Sequence, residues 1–366
     1  MVNVGIIGVG LVGSELINQL SAQISRRSLP FPLKIVALAN SKVQLLSNTN
    51  YDPIDLDGWK IRLMSHGIST DLSVFTKYLA KSPDVAVVVD NTSNQDVVDF
   101  YPEFIKAGLH IVTPNKKAFS GELGFYKKIV DLAREKNVLI YHESTVGAGL
   151  PVINTLKDLV GTGDEIVKIE GIFSGTLSYL FNSFSPTEET VGDAKTFSDI
   201  VRIAKDNGYT EPDPRDDLNG IDVARKVVIL GRLAGIDLSL DTLPVENMVP
   251  EPLRAVASAD EFLTKLPDCD DHFDQLKKAA KNNNKVLRYV GVVDPVNGKS
   301  SVSLLSLSAS HPFASLKGSD NIIAFTTKRF PNPLIIQGAG AGAAVTAFGI
   351  FSDLIKIAER TSSVGR

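Results

Sequence analysis

Cysteine is almost missing from this chain. One residue, Cys269, serves 366 positions, so no internal disulfide can form and the composition suits a reducing compartment. Long apolar runs are also missing, and none approaches the roughly 20 residues that a membrane-spanning helix needs. There is no excess of positive charge: 38 Lys and Arg stand against 42 Asp and Glu, for a formal net charge of -4. With no arginine cluster, basic tail or aromatic-basic interleaving, the footprint of a nucleic-acid partner is lacking. The N-terminus enters an apolar run without a charged leader, so a cytoplasmic location is expected. Repeats and low-complexity tracts are absent. The most linker-like stretch is 183–195, which reads as an exposed loop.

What is present is the pattern of a globular protein, 43% hydrophobic and 22% charged. The length favours two domains over one core. Short apolar runs at 2–10, 33–40, 84–93, near Ile111 and at 138–146 read as strands. Helical periodicity alternates with them, as in 11–24, with Leu11, Leu16, Leu20 and Ile24. Strand–helix alternation is the signature of a doubly wound, Rossmann-type parallel α/β sheet. After about residue 150 the pattern changes. A helix at 151–160, a strand at 166–173 and several helices lead to four strand-like runs between 285 and 340, which suggests a second α+β domain. The closing segment 343–360 reads as a helix that returns to the first domain. The expected division is 1–150, completed by 340–366, against 151–339.

Gly8-Val9-Gly10-Leu11-Val12-Gly13 is a G-x-G-x-x-G between a strand and a helix. Its glycines permit a tight turn, close approach of a pyrophosphate, and close packing of the helix on the strand, with the helix N-terminus toward the phosphates. At the end of the second strand, an NAD enzyme usually carries an acid for the ribose 2′-hydroxyl. Here the residues are Asn40, Ser41 and Lys42. No acid repels a 2′-phosphate, and Lys42 either neutralises one or is a solvated loop lysine. The next strand ends in Asp90-Asn91-Thr92-Ser93, and the following one in Thr113-Pro114-Asn115-Lys116-Lys117. Both fall at the carboxyl edge where open parallel sheets bind ligands, and one of the two lysines can reach a reacting carbonyl.

The run 207–226, NGYTEPDPRDDLNGIDVARK, crowds Glu211, Asp213, Asp216 and Asp217 into a turn broken by Gly208, Pro212 and Pro214. A helix is expected to start near Asn219, a good N-cap residue. On it Asp222 and Lys226 are four apart and share a face. The residues leave two readings open: an acidic surface loop followed by an ordinary ion pair, or a carboxylate and a lysine that hold an amino-acid substrate and move a proton.

GVGLVGS, VDNTS, TPNKKAF, YHESTVGAGLP, KIEGIFSGTLSYLFN, GYTEPDPRDDLNGIDVARK, HPFASLKGSDN and IQGAGAGAAVTA occur in order from near residue 5 to near 350. Together they resemble the homoserine dehydrogenases, specifically the monofunctional fungal type. The resemblance implies NAD(P)-dependent interconversion of L-homoserine and L-aspartate 4-semialdehyde, on the route to threonine, methionine and isoleucine. It implies that Lys226 transfers the proton and that Lys117 sits beside nicotinamide and substrate. Glu211 and Asp222 are implied to bind homoserine. The implied cofactor contacts are Gly8, Gly10, Leu11, Val12, Gly13, Asn40, Lys42, Thr92, Ser93, Lys117, Gly208 and Gly342. It further implies a sodium site formed by the Glu143 side chain and the carbonyls of Val146, Ala148 and Leu150, and a homodimer through the second sheet. Read from residues alone, 143–150 is a glycine-rich hinge. The expected cofactor is NADP, with NAD also accepted, because Asn40-Ser41-Lys42 holds no acid to exclude a 2′-phosphate; some relatives carry an acid there.

Two alternatives differ in class. Aspartate semialdehyde dehydrogenase shares a substrate but requires a nucleophilic cysteine, and Cys269 sits between Asp268 and Asp270, which disfavour a thiolate. A non-catalytic NADPH-binding sensor needs the glycine loop but not both Lys117 and Lys226.

Overall fold

A computed structural model describes residues 1–26, 29, 31–188 and 195–362. It divides into two compact units, 1–149 with 342–366, and 150–341. Part of the linker-like stretch, 189–194, lies outside the described residues; of the rest, Phe184 and Ser185 are buried, not exposed.

The first unit is built on a seven-stranded sheet of β1 (Val2–Ile7), β2 (Leu33–Ala39), β3 (Val43–Leu46), β4 (Ile68–Ser69), β5 (Val85–Asp90), β6 (His110–Val112) and β7 (Ile140–Tyr141). The order is β4-β3-β2-β1-β5-β6-β7. From β2 to β7 the pairing is parallel, the Rossmann-type arrangement that the strand–helix alternation implies. Two antiparallel edge strands, β3 and β4, extend it; the alternation gave no sign of them. Their cause is local. The Asn40 carboxamide oxygen accepts the N–H groups of Lys42 (2.8 Å) and Val43 (2.9 Å), closing an Asx turn that reverses the chain.

The expected strand over 138–146 is also shorter, because His142–Thr145 finds its partners elsewhere. Glu143 N–H donates to Asp353 Oδ2 at 2.9 Å, and Ser144 Oγ donates to the Thr346 carbonyl at 3.0 Å. Both partners lie on the C-terminal helix Ala343–Ser362, and Glu143–Thr145 forms a 3-10 turn instead. That helix is part of this unit's core. Ala347, Ile350, Leu354, Ile357 and Ala358 pack in one cluster with Leu16, Ile17 and Leu20 of the helix Leu11–Ser25 and with β1 and β2.

The second unit carries a five-stranded antiparallel sheet of β8 (Ile166–Ile172), β9 (Lys285–Val293), β10 (Ser301–Ser308), β11 (Asp320–Thr327) and β12 (Leu334–Ala339), in the order β10-β9-β8-β11-β12. Glycines set the approach of the helix Ile221–Leu233: a Cβ at Gly291 of β9 would fall 2.6 Å from Val227 Cγ2. Alternation along β9 turns Val290 to the opposite face, where it clusters with Ile172, Phe313, Leu316, Ile322 and Ala324. Val292, Leu305 and Leu307 flank that cluster and are only partly buried.

The helix in the 207–226 run starts one residue later than the composition suggests. Its N-cap is Gly220, in the left-handed region at φ 76°, not Asn219. A Cβ there would fall 2.0 Å from the Tyr289 hydroxyl. Asn219 contributes differently, accepting the Ile221 N–H on its Oδ1 at 2.8 Å.

Candidate active site

Functional groups collect in two places, one on each unit. In the first unit they gather at the carboxyl edge of the parallel sheet. Gly8 has φ +89°, and a Cβ there would meet Thr92 Cγ2 at 2.8 Å. A Cβ at Gly13 would fall 2.0 Å from the Gly8 carbonyl oxygen, so glycine alone lets the helix seat on the strand end. Gly10 differs from both: a Cβ there would meet nothing within 4 Å. Gly10 caps the Leu11–Ser25 helix without a side-chain hydrogen bond, so no side chain caps the first-turn N–H groups, the setting that favours a phosphate. Leu11, 80% exposed, and half-buried Val12 form the rim.

Beneath this rim lies a network that no sequence motif announces. Asp90, fully buried at the end of β5, accepts the Thr92 N–H (2.8 Å) and hydroxyl (2.6 Å) on Oδ1. Its Oδ2 accepts the Tyr101 hydroxyl (2.7 Å) and the Asn115 amide (3.1 Å). Asn115 Oδ1 in turn accepts the Lys117 N–H at 3.1 Å. One carboxylate thus ties the loops carrying Thr92 and Lys117. Burial pushes the Asp90 carboxyl up, opposed by hydrogen bonds from Thr92, Tyr101 and Asn115. Asn91 carries no sequence signal that sets it apart from Asp90 and Thr92. Both polar atoms of its amide are buried without a hydrogen-bond partner, and a Cβ at Gly13 would lie 3.2 Å from its Nδ2. An orphaned amide under an uncapped glycine loop fits a dinucleotide site, because buried polar groups are otherwise nearly always paired.

The remaining candidates on this unit are less uniform. Asn40 gives its carboxamide oxygen to the β2–β3 turn, so only its amide N–H groups can be offered to a ribose. Lys42 and Ser93 are exposed, and Lys117 is half-buried. Gly342 has φ +114° and precedes the C-terminal helix. Glu143 is 3% exposed, with its carboxylate 3.8 Å from Lys356 Nζ. Val146 and Ala148 are buried, Ala148 at φ +54°. Leu150 begins the second unit, and its carbonyl accepts the Val152 N–H at 2.8 Å. A carboxylate with three carbonyls is an oxygen-only donor set, which suits a hard cation. Among the described residues no group of three or more His, Cys, Asp or Glu could hold a metal.

In the second unit the groups stand at the end of β8. Lys226 is 8% exposed. Its Nζ lies 2.7 Å from Asp222 Oδ2 and donates to the Phe173 carbonyl at 2.7 Å. Of the carboxylates crowded into 211–217, Asp213 is clasped by the Arg215 guanidinium at 2.6–3.1 Å, which holds its carboxyl low. Asp217 accepts the Glu211 N–H at 2.8 Å and the Thr176 hydroxyl at 2.8 Å, and burial raises its carboxyl. Glu211 itself is exposed, its backbone anchored by Asp217. Gly208, at φ +71°, directly follows the C-cap of the Phe197–Asp206 helix, a glycine's usual place. Cys269 is only partly buried, and burial together with Asp268 and Asp270 pushes its thiol up, which disfavours the thiolate that thioester chemistry needs.

A glycine loop shaped for a dinucleotide in the first unit, and a buried lysine paired with a half-exposed carboxylate in the second, are the parts of a nicotinamide-dependent oxidoreductase. Comparison with known proteins makes this particular. The family model for homoserine dehydrogenase matches residues 151–355, and that for its NAD-binding domain matches 8–143. Homoserine dehydrogenase of Saccharomyces cerevisiae is 50% identical over 98% of this chain and 99% of its own. That of Schizosaccharomyces pombe is 49% identical over 97% and 95%. A crystal structure of a Candida auris protein of unknown function superposes with a TM-score of 0.91, at 50% identity, covering 98% of each chain. The chain belongs to the homoserine dehydrogenase family.

Proposed function

We propose that this enzyme interconverts L-homoserine and L-aspartate 4-semialdehyde with NAD(P), and that Lys226 carries the proton. The observation behind the role of Lys226 is its placement: a buried ammonium fixed between a carboxylate and a carbonyl. When bound, the reduced dinucleotide supplies a hydride to the aldehyde carbon. Negative charge then develops on the former carbonyl oxygen, and Lys226 Nζ gives that oxygen a proton, completing the alcohol. In the opposite direction neutral Lys226 takes the hydroxyl proton. Preorganised cations serve such charge best where water is excluded, and Lys117 is assigned to stabilise the same charge. Glu211 and Asp222 are assigned to the substrate ammonium, with Asp217 holding the Glu211 backbone.

Gly8, Gly10, Leu11, Val12 and Gly13 would hold the pyrophosphate side, and Thr92, Ser93, Gly208 and Gly342 the nicotinamide side. Asn40 and Lys42 would meet the adenosine ribose, with a modest preference for NADP over NAD. Glu143, with the carbonyls of Val146, Ala148 and Leu150, is assigned to a sodium ion. A cytoplasmic homodimer through the second sheet completes the proposal, supported by the half-buried Val292, Leu305 and Leu307 on that sheet's open flank.

The test is loss of NADPH absorbance with L-aspartate 4-semialdehyde in phosphate-free buffer. Wild type turns over, whereas Lys226→Met loses about 10²-fold or more in kcat and still binds NADPH. Reduction of NADP+ by the semialdehyde that requires phosphate and Cys269 identifies the acylating enzyme instead. NADPH binding without turnover identifies a sensor.

A further inference from the structure

Lys226 shares its carbonyl anchor with a second side chain. Asn321, fully buried in β11, donates from Nδ2 to the Phe173 carbonyl oxygen at 3.1 Å, the atom that Lys226 Nζ reaches at 2.7 Å. A carbonyl oxygen has two lone pairs, and these two donors occupy them. The place in the sheet explains the contact. β11 pairs with β8 from Ile322↔Ile172 onward, while Asn321 pairs on its other side with Gly338 of β12. Where the backbone ladder to β8 stops, the Asn321 side chain catches the next carbonyl along.

Two further observations show that the amide is held for this contact. A Cβ at Gly340 would fall 2.0 Å from Asn321 Nδ2 and 2.1 Å from its Cγ, so the amide lies against bare backbone and no larger residue at 340 leaves room for it. Asn321 Oδ1 is buried and has no hydrogen-bond partner, an unfavourable state that the Nδ2 contact with Phe173 offsets. Turning the amide over would set two acceptor oxygens against each other at Phe173, which settles its orientation.

We propose that Asn321, backed by Gly340, is a positioning residue for Lys226, holding the Phe173 carbonyl where it orients the lysine ammonium toward the reacting oxygen. The inference rests on the proton-transfer role assigned to Lys226. With Phe173 O pinned, one N–H of the ammonium is aimed at that oxygen and another at Asp222, so the lysine does not sample rotamers between turnovers. Misplacing a reacting group by an ångström costs rate steeply even when binding is intact.

The experiment is steady-state kinetics of Asn321→Leu and Gly340→Ala in H2O and D2O, with Lys226→Met beside them and thermal melts for all. Leu has nearly the shape of Asn and carries no unpaired oxygen, so Asn321→Leu is expected to melt no lower than wild type. Its kcat should fall about 10-fold or more, with KM for NADPH within two-fold of wild type. The solvent isotope effect on kcat should rise, because a misaimed lysine makes proton transfer limiting. Gly340→Ala, which evicts the amide without removing it, should show the same signature and serves alone if Asn321→Leu fails to fold. A folded variant of either kind with wild-type kcat and isotope effect overturns the inference. If Lys226→Met itself keeps full activity, the proton-transfer role is what fails. If only Lys226→Met is impaired, the positioning inference alone falls.

Discussion

The two units hold their functional groups by opposite means. In the first, the working surface is main chain: a glycine loop, an uncapped helix end and two strand-to-helix turns, the turns braced by Asp90. In the second, it is side chains: Lys226, fixed by Asp222 and the Phe173 carbonyl, and Glu211, exposed on a backbone that Asp217 anchors. A dinucleotide is long and repetitive, and backbone amides can cradle its phosphates. A small amino acid offers few atoms, so charged side chains must recognise it. Damage to the first unit should therefore act through fold and cofactor affinity, and damage to the second through substrate affinity and rate.

The largest test of that contrast is Asp90→Ala. It strips Thr92, Tyr101 and Asn115 of their shared acceptor and leaves the Tyr101 hydroxyl buried. The expected loss is roughly 3 kcal/mol of stability, read by urea denaturation, with KM for NADPH rising more than KM for homoserine. The reverse ordering would break the comparison.

Glu211→Ala should leave the melt nearly unchanged, and both Glu211→Ala and Asp222→Ala should raise KM for homoserine by roughly 10- to 100-fold, the scale of a charge-assisted hydrogen bond. KM for NADP+ should move little. Equal changes in both constants would mark a folding defect, not a recognition site.

The pH dependence of stability sharpens the second unit further. Burial raises the Asp217 carboxyl in the folded state, aided by the nearby Glu211 and Asp222 charges and opposed by hydrogen bonds from Glu211 N–H and Thr176. A raised folded value means that the folded chain holds this proton more tightly than the unfolded chain. Stability from Asp217 is therefore fully present below the ordinary carboxylate pKa of about 4 and is lost as pH rises through the folded value. Asp217→Asn carries no such proton. Measured by urea denaturation, the stability of Asp217→Asn relative to wild type should climb as pH rises from about 4 and then level off. A flat difference across that range would remove Asp217 as a proton-holding group.

The smallest effect belongs to the adenosine end. Lys42→Ala should lower kcat/KM for NADPH relative to NADH only several-fold, since an exposed charge is worth little, and added salt should shrink the difference. Asn40→Asp retains an oxygen for the Lys42 and Val43 N–H groups, so the turn survives while the preference shifts toward NADH. A wild type strongly preferring NADH, unaffected by Lys42→Ala, would overturn that reading.

These contrasts follow how far apart in the chain the interacting residues lie. The glycine loop was readable because its physics is local: Gly8, Gly10 and Gly13 act within six residues. The Asp222–Lys226 contact was readable for the same reason, since one helical turn brings i and i+4 together. By contrast, β3 and β4 were missed because their cause is a turn made by one amide, with too few residues for a periodic pattern. The strand at 138–146 was read too long because its polar groups are met by Thr346 and Asp353, some two hundred residues away. Asp90 reads in sequence as one polar residue at a strand end, until Tyr101 and Asn115 fold back onto it.

The sequence by itself determined the class of fold, the dinucleotide loop, the family and the helix face that carries Lys226. Each of these is encoded in short spacings or long contiguous motifs. Only the tertiary structure decided which carboxylates are neutralised, which one points outward, and which side chains steady the lysine. Asn321 meets the Phe173 carbonyl across 148 residues of chain, and it does so because two strands happen to end their ladder there and Gly340 leaves room. No local spacing encodes that meeting, since it depends on where the sheet places three distant backbones.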